Sequence, residues 1–306
     1  MLSRMRARSR RSCSRRGGVE HCAHALSFAT GDADVSRRTV FFVSDQTGVT
    51  AETMGHSLLT QFEGLEFRPV TLPFVSSVDK AREAVRKIDA AAAEGPRPII
   101  FSTLVQDELR EIVMRSNGLF LDFFAAFVGP LERELDTRST HRAGRAHGMA
   151  DLAAYTMRIN ATNYSLANDD GAGGDYEHAD VVLTGVSRSG KTPTCLYMAL
   201  QYGIFAANFP LTDEELESGE LPPRLAAHRD KLYGLTIRPE RLQQIRNERR
   251  PESRYASAPQ VQYELRAAEA LFQRYAIAYI DTTECSIEEI ASRIINNSGI
   301  ERRLRP

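Results

Sequence analysis

The chain has 306 residues, 42% of them hydrophobic and 26% charged, with a formal net charge of −1. That length and apolar fraction support a sizeable core, in two domains or one large α/β domain, and the near-neutral balance argues against a nucleic-acid partner. No apolar run approaches the ~20 residues that cross a bilayer, and four scattered cysteines (Cys13, Cys22, Cys195, Cys285) with no CxxC pair point to a reducing compartment, read as the cytoplasm, and to no zinc site.

Residues 1–36 stand apart. Seven arginines lie between positions 4 and 16, with serines among them and no acid, a composition that predicts a disordered tail. A basic arm for an acidic partner and a targeting peptide are the alternatives. The body begins at Arg38. Thr39–Val43 reads as a buried strand, followed by the polar loop Ser44-Asp45-Gln46-Thr47-Gly48 and a helical pattern to Phe62. The alternation continues with a strand at 67–72, a helix over 78–93 closed by Gly95-Pro96, a strand at 98–102 and a helix over 106–116. An apolar run at 119–124 and a helical stretch to Leu135 follow. Strands separated by helices of this length predict a parallel sheet with helices on its faces.

Residues 137–150 break the rhythm with Arg138, His141, Arg142, Arg145 and His147, a basic loop or an anion-binding one. After a helix over 151–168, Asn168-Asp169-Asp170-Gly171 and the glycines to Gly174 read as a linker. The expected division is therefore a tail (1–36), an N-terminal parallel-sheet α/β domain (37–170) and a P-loop kinase-like α/β domain (171–306). In the last, helices are expected to about Tyr202, over 239–249, over 261–275 and after the capping box at Ser286, with strands at 204–209, 232–237 and 276–280.

The most specific chemistry lies at 185–192. Gly185-Val186-Ser187-Arg188-Ser189-Gly190-Lys191-Thr192 is a complete phosphate-binding loop after the apolar run Val181-Val182-Leu183. The glycines let successive N–H groups point at phosphate oxygens. Lys191 is placed for the terminal phosphates and Thr192 for Mg²⁺. A random chain of this length carries the pattern roughly once in a hundred. Only four lysines stand among 39 basic residues, and one of them occupies the position where a compact ammonium is needed.

Other sites leave alternatives open. Asp281, at the end of an apolar run, suits a carboxylate that orients magnesium or water, a turn cap, or a nucleotide-base pocket. Arg238, Arg241, Arg246, Arg249, Arg250 and Arg254 suit a mobile phosphate-clamping lid, Arg246 and Arg249 above all, or a solvated helix face. Asp45, at the carboxyl end of the first strand, suits a proton acceptor, a metal ligand or a turn.

Several stretches together resemble the phosphoenolpyruvate synthase and pyruvate, phosphate dikinase regulatory proteins. They are residues 40–53, Arg158-Ile159-Asn160 with 168–171, residues 185–194, Ala206–Leu211, Gly234-Leu235-Thr236, Pro239–Leu242 and Ile280–Thr283. The resemblance covers about Arg38 to Ile300, and the run 192–209 is closer to the synthase branch. It implies a bifunctional regulator: ADP-dependent phosphorylation of a threonine that inactivates the target enzyme, and phosphate-dependent removal that releases pyrophosphate. ADP, inorganic phosphate and Mg²⁺ are the expected small molecules, and phosphoenolpyruvate synthase is the expected protein partner. A homodimer is the assembly considered, with the oligomeric state left open. A regulator of pyruvate, phosphate dikinase and a P-loop small-molecule kinase are the competing readings.

Overall fold

The structure, a computed structural model, describes residues 37–140 and 152–304. The Arg-rich segment 1–36 and the histidines expected to bind anions, His141 and His147, lie outside the described residues. The chain divides into two compact units, 1–144 and 145–306.

The first unit runs β1 (Arg38–Val43), α1 (Val49–Leu59), β2 (Phe67–Leu72), α2 (Val78–Glu94), β3 (Ile99–Ser102), α3 (Asp107–Met114), β4 (Leu119–Asp122) and α4 (Phe123–Glu134). All four strands are parallel, in the order β2-β1-β3-β4. Val40 to Val43 are buried on both faces, which is why β1 reads as an unbroken apolar run rather than an alternating one. Ser77 caps α2 by accepting the Lys80 N–H, and Ala81, Ala84 and Ile88 turn one stripe of that helix into the core. The apolar run at 119–124 is split by Asp122, whose Oδ1 accepts the Ala125 N–H at 2.9 Å and so starts α4. Phe123 and Phe124 are therefore helical rather than the end of a strand.

The second unit runs α5 (Leu152–Ala167), a 3-10 turn (Asp169–Gly171), β5 (Val181–Gly185), α6 (Lys191–Tyr202), β6 (Ala206–Pro210), α7 (Asp213–Ser218), α8 (Pro223–Ala226), β7 (Leu232–Thr236), α9 (Pro239–Arg249), α10 (Ala258–Arg274), β8 (Ala278–Asp281) and α11 (Ile287–Ser298). Its strands are also all parallel, in the order β6-β5-β7-β8. This repeats the topology of the first unit, with β5 in the place of β1, although the sequence shows no repeat. Val182 packs on one face of the sheet with Leu242, Leu265 and Phe272, while Val181 and Leu183 face Met198, Ile290 and Ile294 on the other. α5 packs on α6 and β6, so it lies with the second unit. α7, which the apolar pattern does not announce, begins at a capping box formed by Thr212 and Glu215.

Candidate active site

β5 is buried along its whole length and delivers the loop 186–190 to the carboxyl end of the sheet, where open α/β sheets place their ligands. Gly185 closes the strand where a Cβ would stand 2.4 Å from the Leu235 carbonyl oxygen, so only glycine fits. Gly190 turns the chain into α6 at φ 94°, in the left-handed region. Among the described residues the amides of Arg188, Gly190, Lys191 and Thr192 find no acceptor, and the Ser189 hydroxyl is buried without a partner. With the positive end of the α6 dipole behind them, these unmet donors fit a phosphate. The cavity in front has a volume of about 560 Å³ and is lined by Lys191, Thr192, Arg188, Arg249, Asp170 and Tyr255.

Lys191 is 5% exposed and its Nζ donates to the Val186 carbonyl at 2.9 Å. Burial pushes its ammonium down to about 8, against the pull of the Asp170 and Asp169 carboxylates. The buried charge therefore weakens the fold below about pH 8, and that cost fades as the pH climbs from there into the ordinary lysine range. A polyphosphate beside the ammonium favours the charged form. Binding of such a polyphosphate above pH 8 is expected to take up a proton and to weaken as the pH rises further. Calorimetric titration in two buffers of different ionisation enthalpy reads this directly, and equal heats in both would contradict it.

The segment expected to be a linker is part of this site. The Thr192 hydroxyl donates to Asp169 Oδ1 at 2.8 Å, and the Asn208 side-chain amide donates to the same oxygen. Asn208 in turn accepts the Asp170 N–H at 3.0 Å through its own Oδ1. Asn168 is 3% exposed and accepts the Asp175 N–H while donating to the Tyr164 carbonyl. Asp170 takes a left-handed conformation (φ 48°) and lines the cavity. Short polar residues and glycines give this stretch the look of a connector, whereas its side chains hold it against the loop and β6.

The sequence profile described as kinase/pyrophosphorylase matches residues 40–295. The chain belongs to the kinase/pyrophosphorylase family. Relatives include a protein from Ectopseudomonas mendocina strain ymp, 52% identical over 88% of this chain and 100% of its own. Others come from Alkalilimnicola ehrlichii, 52% identical over 88% of this chain and 98% of its own, and Pseudomonas aeruginosa PAO1, 51% identical over 88% and 99%. All three are named provisionally as phosphoenolpyruvate synthase regulatory proteins.

The arginines of the second unit divide by place. Arg246 is fully buried beneath the loop rather than on a lid. Its Nη2 donates to the Ser187 carbonyl (3.1 Å) and to Glu264 (2.6 Å), its Nη1 donates to the Tyr255 carbonyl (3.0 Å), and its guanidinium carbon lies 4.1 Å from the Tyr255 ring centroid. It braces the loop and does not line the cavity in front of it. Arg249 and Arg250 are exposed and line that cavity. Asp281 caps a turn: its Oδ1 accepts the Thr283 N–H at 2.8 Å and the Thr283 hydroxyl. It lines a separate cavity with Arg238 and Glu269, while its neighbour Thr282 donates to the Ser189 carbonyl at 3.2 Å. Asp45, in the first unit, is 5% exposed and accepts the Val105 N–H at 3.2 Å. Burial raises its pKa, with that amide pulling the other way. Its loop holds the position in the first sheet that the phosphate loop holds in the second, with no lysine at the start of α1. Among the described residues no cluster of His, Cys, Asp and Glu could hold a metal by itself, and no helix is long and apolar enough to cross a membrane.

Proposed function

We propose that the chain phosphorylates a threonine of phosphoenolpyruvate synthase with ADP as donor, which inactivates that enzyme, and removes the phosphate with inorganic phosphate, releasing pyrophosphate. The names of the relatives and the family description support the target and the two activities. The observation that carries the chemistry is the buried Lys191 ammonium among unmet loop amides at the mouth of a cationic cavity.

In the first reaction the threonine oxygen bonds to the β-phosphorus of ADP, the bond from that phosphorus to the bridging oxygen breaks, and AMP leaves with that oxygen. In the second an oxygen of inorganic phosphate bonds to the phosphothreonine phosphorus, the bond to the threonine oxygen breaks, and pyrophosphate leaves. Both crowd negative charge at one place, where loop amides, Lys191, Arg249 and Arg250 offset it. The threonine hydroxyl must lose a proton in one direction and regain it in the other. Asp169 suits that exchange, since its Oδ1 is anchored by Thr192 and Asn208 while neither bond uses Oδ2. The proton acceptor in this proposal is therefore Asp169 rather than Asp45.

The oxygens of Thr192 and Asp169 are hard donors that fit Mg²⁺. The ion would supply charge neutralisation on the phosphate oxygens.

Phosphopeptide mapping of purified phosphoenolpyruvate synthase tests the reading. Incubation with this protein and ADP is expected to label one threonine and produce AMP, and later addition of phosphate is expected to clear the label and produce pyrophosphate. Labelling by ATP alone, or none by either nucleotide, would overturn it.

A further inference from the structure

The phosphate cavity continues past the loop. Asp170, Ser187, Pro210 and Tyr255 form a wall that it shares with a second cavity of about 530 Å³. The far side of that second cavity comes from the segment after β6 (Thr212, Asp213), the 3-10 turn before α10 (Arg254) and the start of α10 (Gln260, Glu264). The Tyr255 hydroxyl and the Ser187 hydroxyl are hydrogen-bonded at 2.9 Å, which fixes the shared wall.

The two lobes have opposite electrostatic character. Arg188, Lys191, Arg249 and Arg250 face the first against Asp170 alone. In the second, the charge of Glu264 is spent within the fold: one oxygen pairs with Arg246 at 2.6 Å and the other accepts the Gln260 amide at 3.0 Å. That leaves Asp170 and Asp213 against Arg254. Asp213 opens α7, which reads DEELES, four acids in six residues, with Glu214 and Glu217 exposed. A second polyphosphate would meet like charge there. A polypeptide segment meets the Ser187, Thr212 and Tyr255 hydroxyls for its backbone and the Asp213 carboxylate for its cations. A hydroxyl seated in this lobe lies across the Asp170 wall from a phosphoryl group in the other.

We propose that the second cavity is the acceptor subsite, and that it takes a polypeptide segment whose phosphorylatable hydroxyl is flanked by lysine or arginine, held by Asp213 and the acidic outer face of α7. The proposal rests on the phosphotransfer reading above and adds the chemistry of the substrate. The test uses two fluorescein-labelled peptides with a central threonine, one flanked by arginines and one by glutamates, and reads anisotropy with the full chain, with and without ADP. The arginine peptide is expected to bind about tenfold tighter than the glutamate peptide. Asp213→Lys is expected to erase that preference, Asp213→Asn to reduce it, and both variants to keep the ADP dissociation constant of the parent by calorimetry. Equal binding of the two peptides, or a loss of ADP affinity that matches the loss of peptide affinity, would overturn the proposal. Failure of the parent protein to bind ADP would instead count against the donor assignment, while the peptide preference without nucleotide still decides the subsite.

Discussion

Lys191→Met is expected to abolish both phosphotransfer directions and to leave the fold as stable as before or more so. The two halves of that result share one cause. The ammonium is buried at the start of α6, with its pKa depressed to about 8, so the unliganded protein bears a desolvation cost that a bound polyphosphate relieves. Methionine keeps the volume and removes the charge. Loss of one preorganised donor at developing phosphate charge costs about 10²–10³ in turnover, and Lys191 is the buried cation among the unmet amides of the loop. The hydrogen bond to the Val186 carbonyl is lost as well, an effect of about 1 kcal/mol that partly offsets the relief. A thermal midpoint within a few degrees of the parent, or above it, is the expected reading, alongside turnover near background in the forward and the phosphate-dependent assay. A variant that keeps either activity would remove Lys191 from that reaction.

Much of the fold is legible in the residues because local signals and tertiary context agree. Strand 67–72, the helix from Lys191 to Tyr202 and the helix from Pro239 to Arg249 stand where the apolar pattern, the loop glycine and the N-terminal proline put them. Boundaries drift where a side chain rather than a pattern decides: Asp122 starts a helix inside an apolar run. α7 is short, and its capping box, Thr212 to Glu215, is a signal the apolar periodicity hides. The phosphate loop is legible because its chemistry is contiguous. The rest of the site is not, because it is assembled from distant positions. Asp169 meets Thr192 across 23 positions and Asn208 across 39. Nothing local distinguishes an aspartate that anchors a threonine of the loop from one that shapes a turn. The arginines of the second half show the same limit in reverse. In sequence they form one cluster. In the fold Arg246 is a buried brace, Arg249 and Arg250 face the cavity, and Arg238 pairs with Glu284 at the surface.

The sharpest test of that assembled part is Asp169→Asn. The amide keeps the shape of the carboxylate and an oxygen for the Thr192 hydroxyl, so the anchor survives in outline, while the negative charge and the ability to take a proton go. A positioned general base contributes about 10²–10⁴ in rate, and a loss of that size is expected in turnover with ADP, with the Michaelis constant for ADP changed little. The phosphate-dependent direction is expected to fall too, because the departing threonine oxygen needs the proton back. Two readouts separate this role from its rivals. If Asp169 served only to hold magnesium beside Thr192, raising the magnesium concentration would restore the variant, whereas loss of a proton acceptor persists at every concentration. If the proton instead went to the first unit, Asp45→Asn would lose turnover and Asp169→Asn would keep it. Asp45 already gives its carboxylate to the Val105 amide, a bond that ties two loops of its own sheet. Asp169 is bonded to the threonine that follows Lys191, which is why the larger loss is expected there.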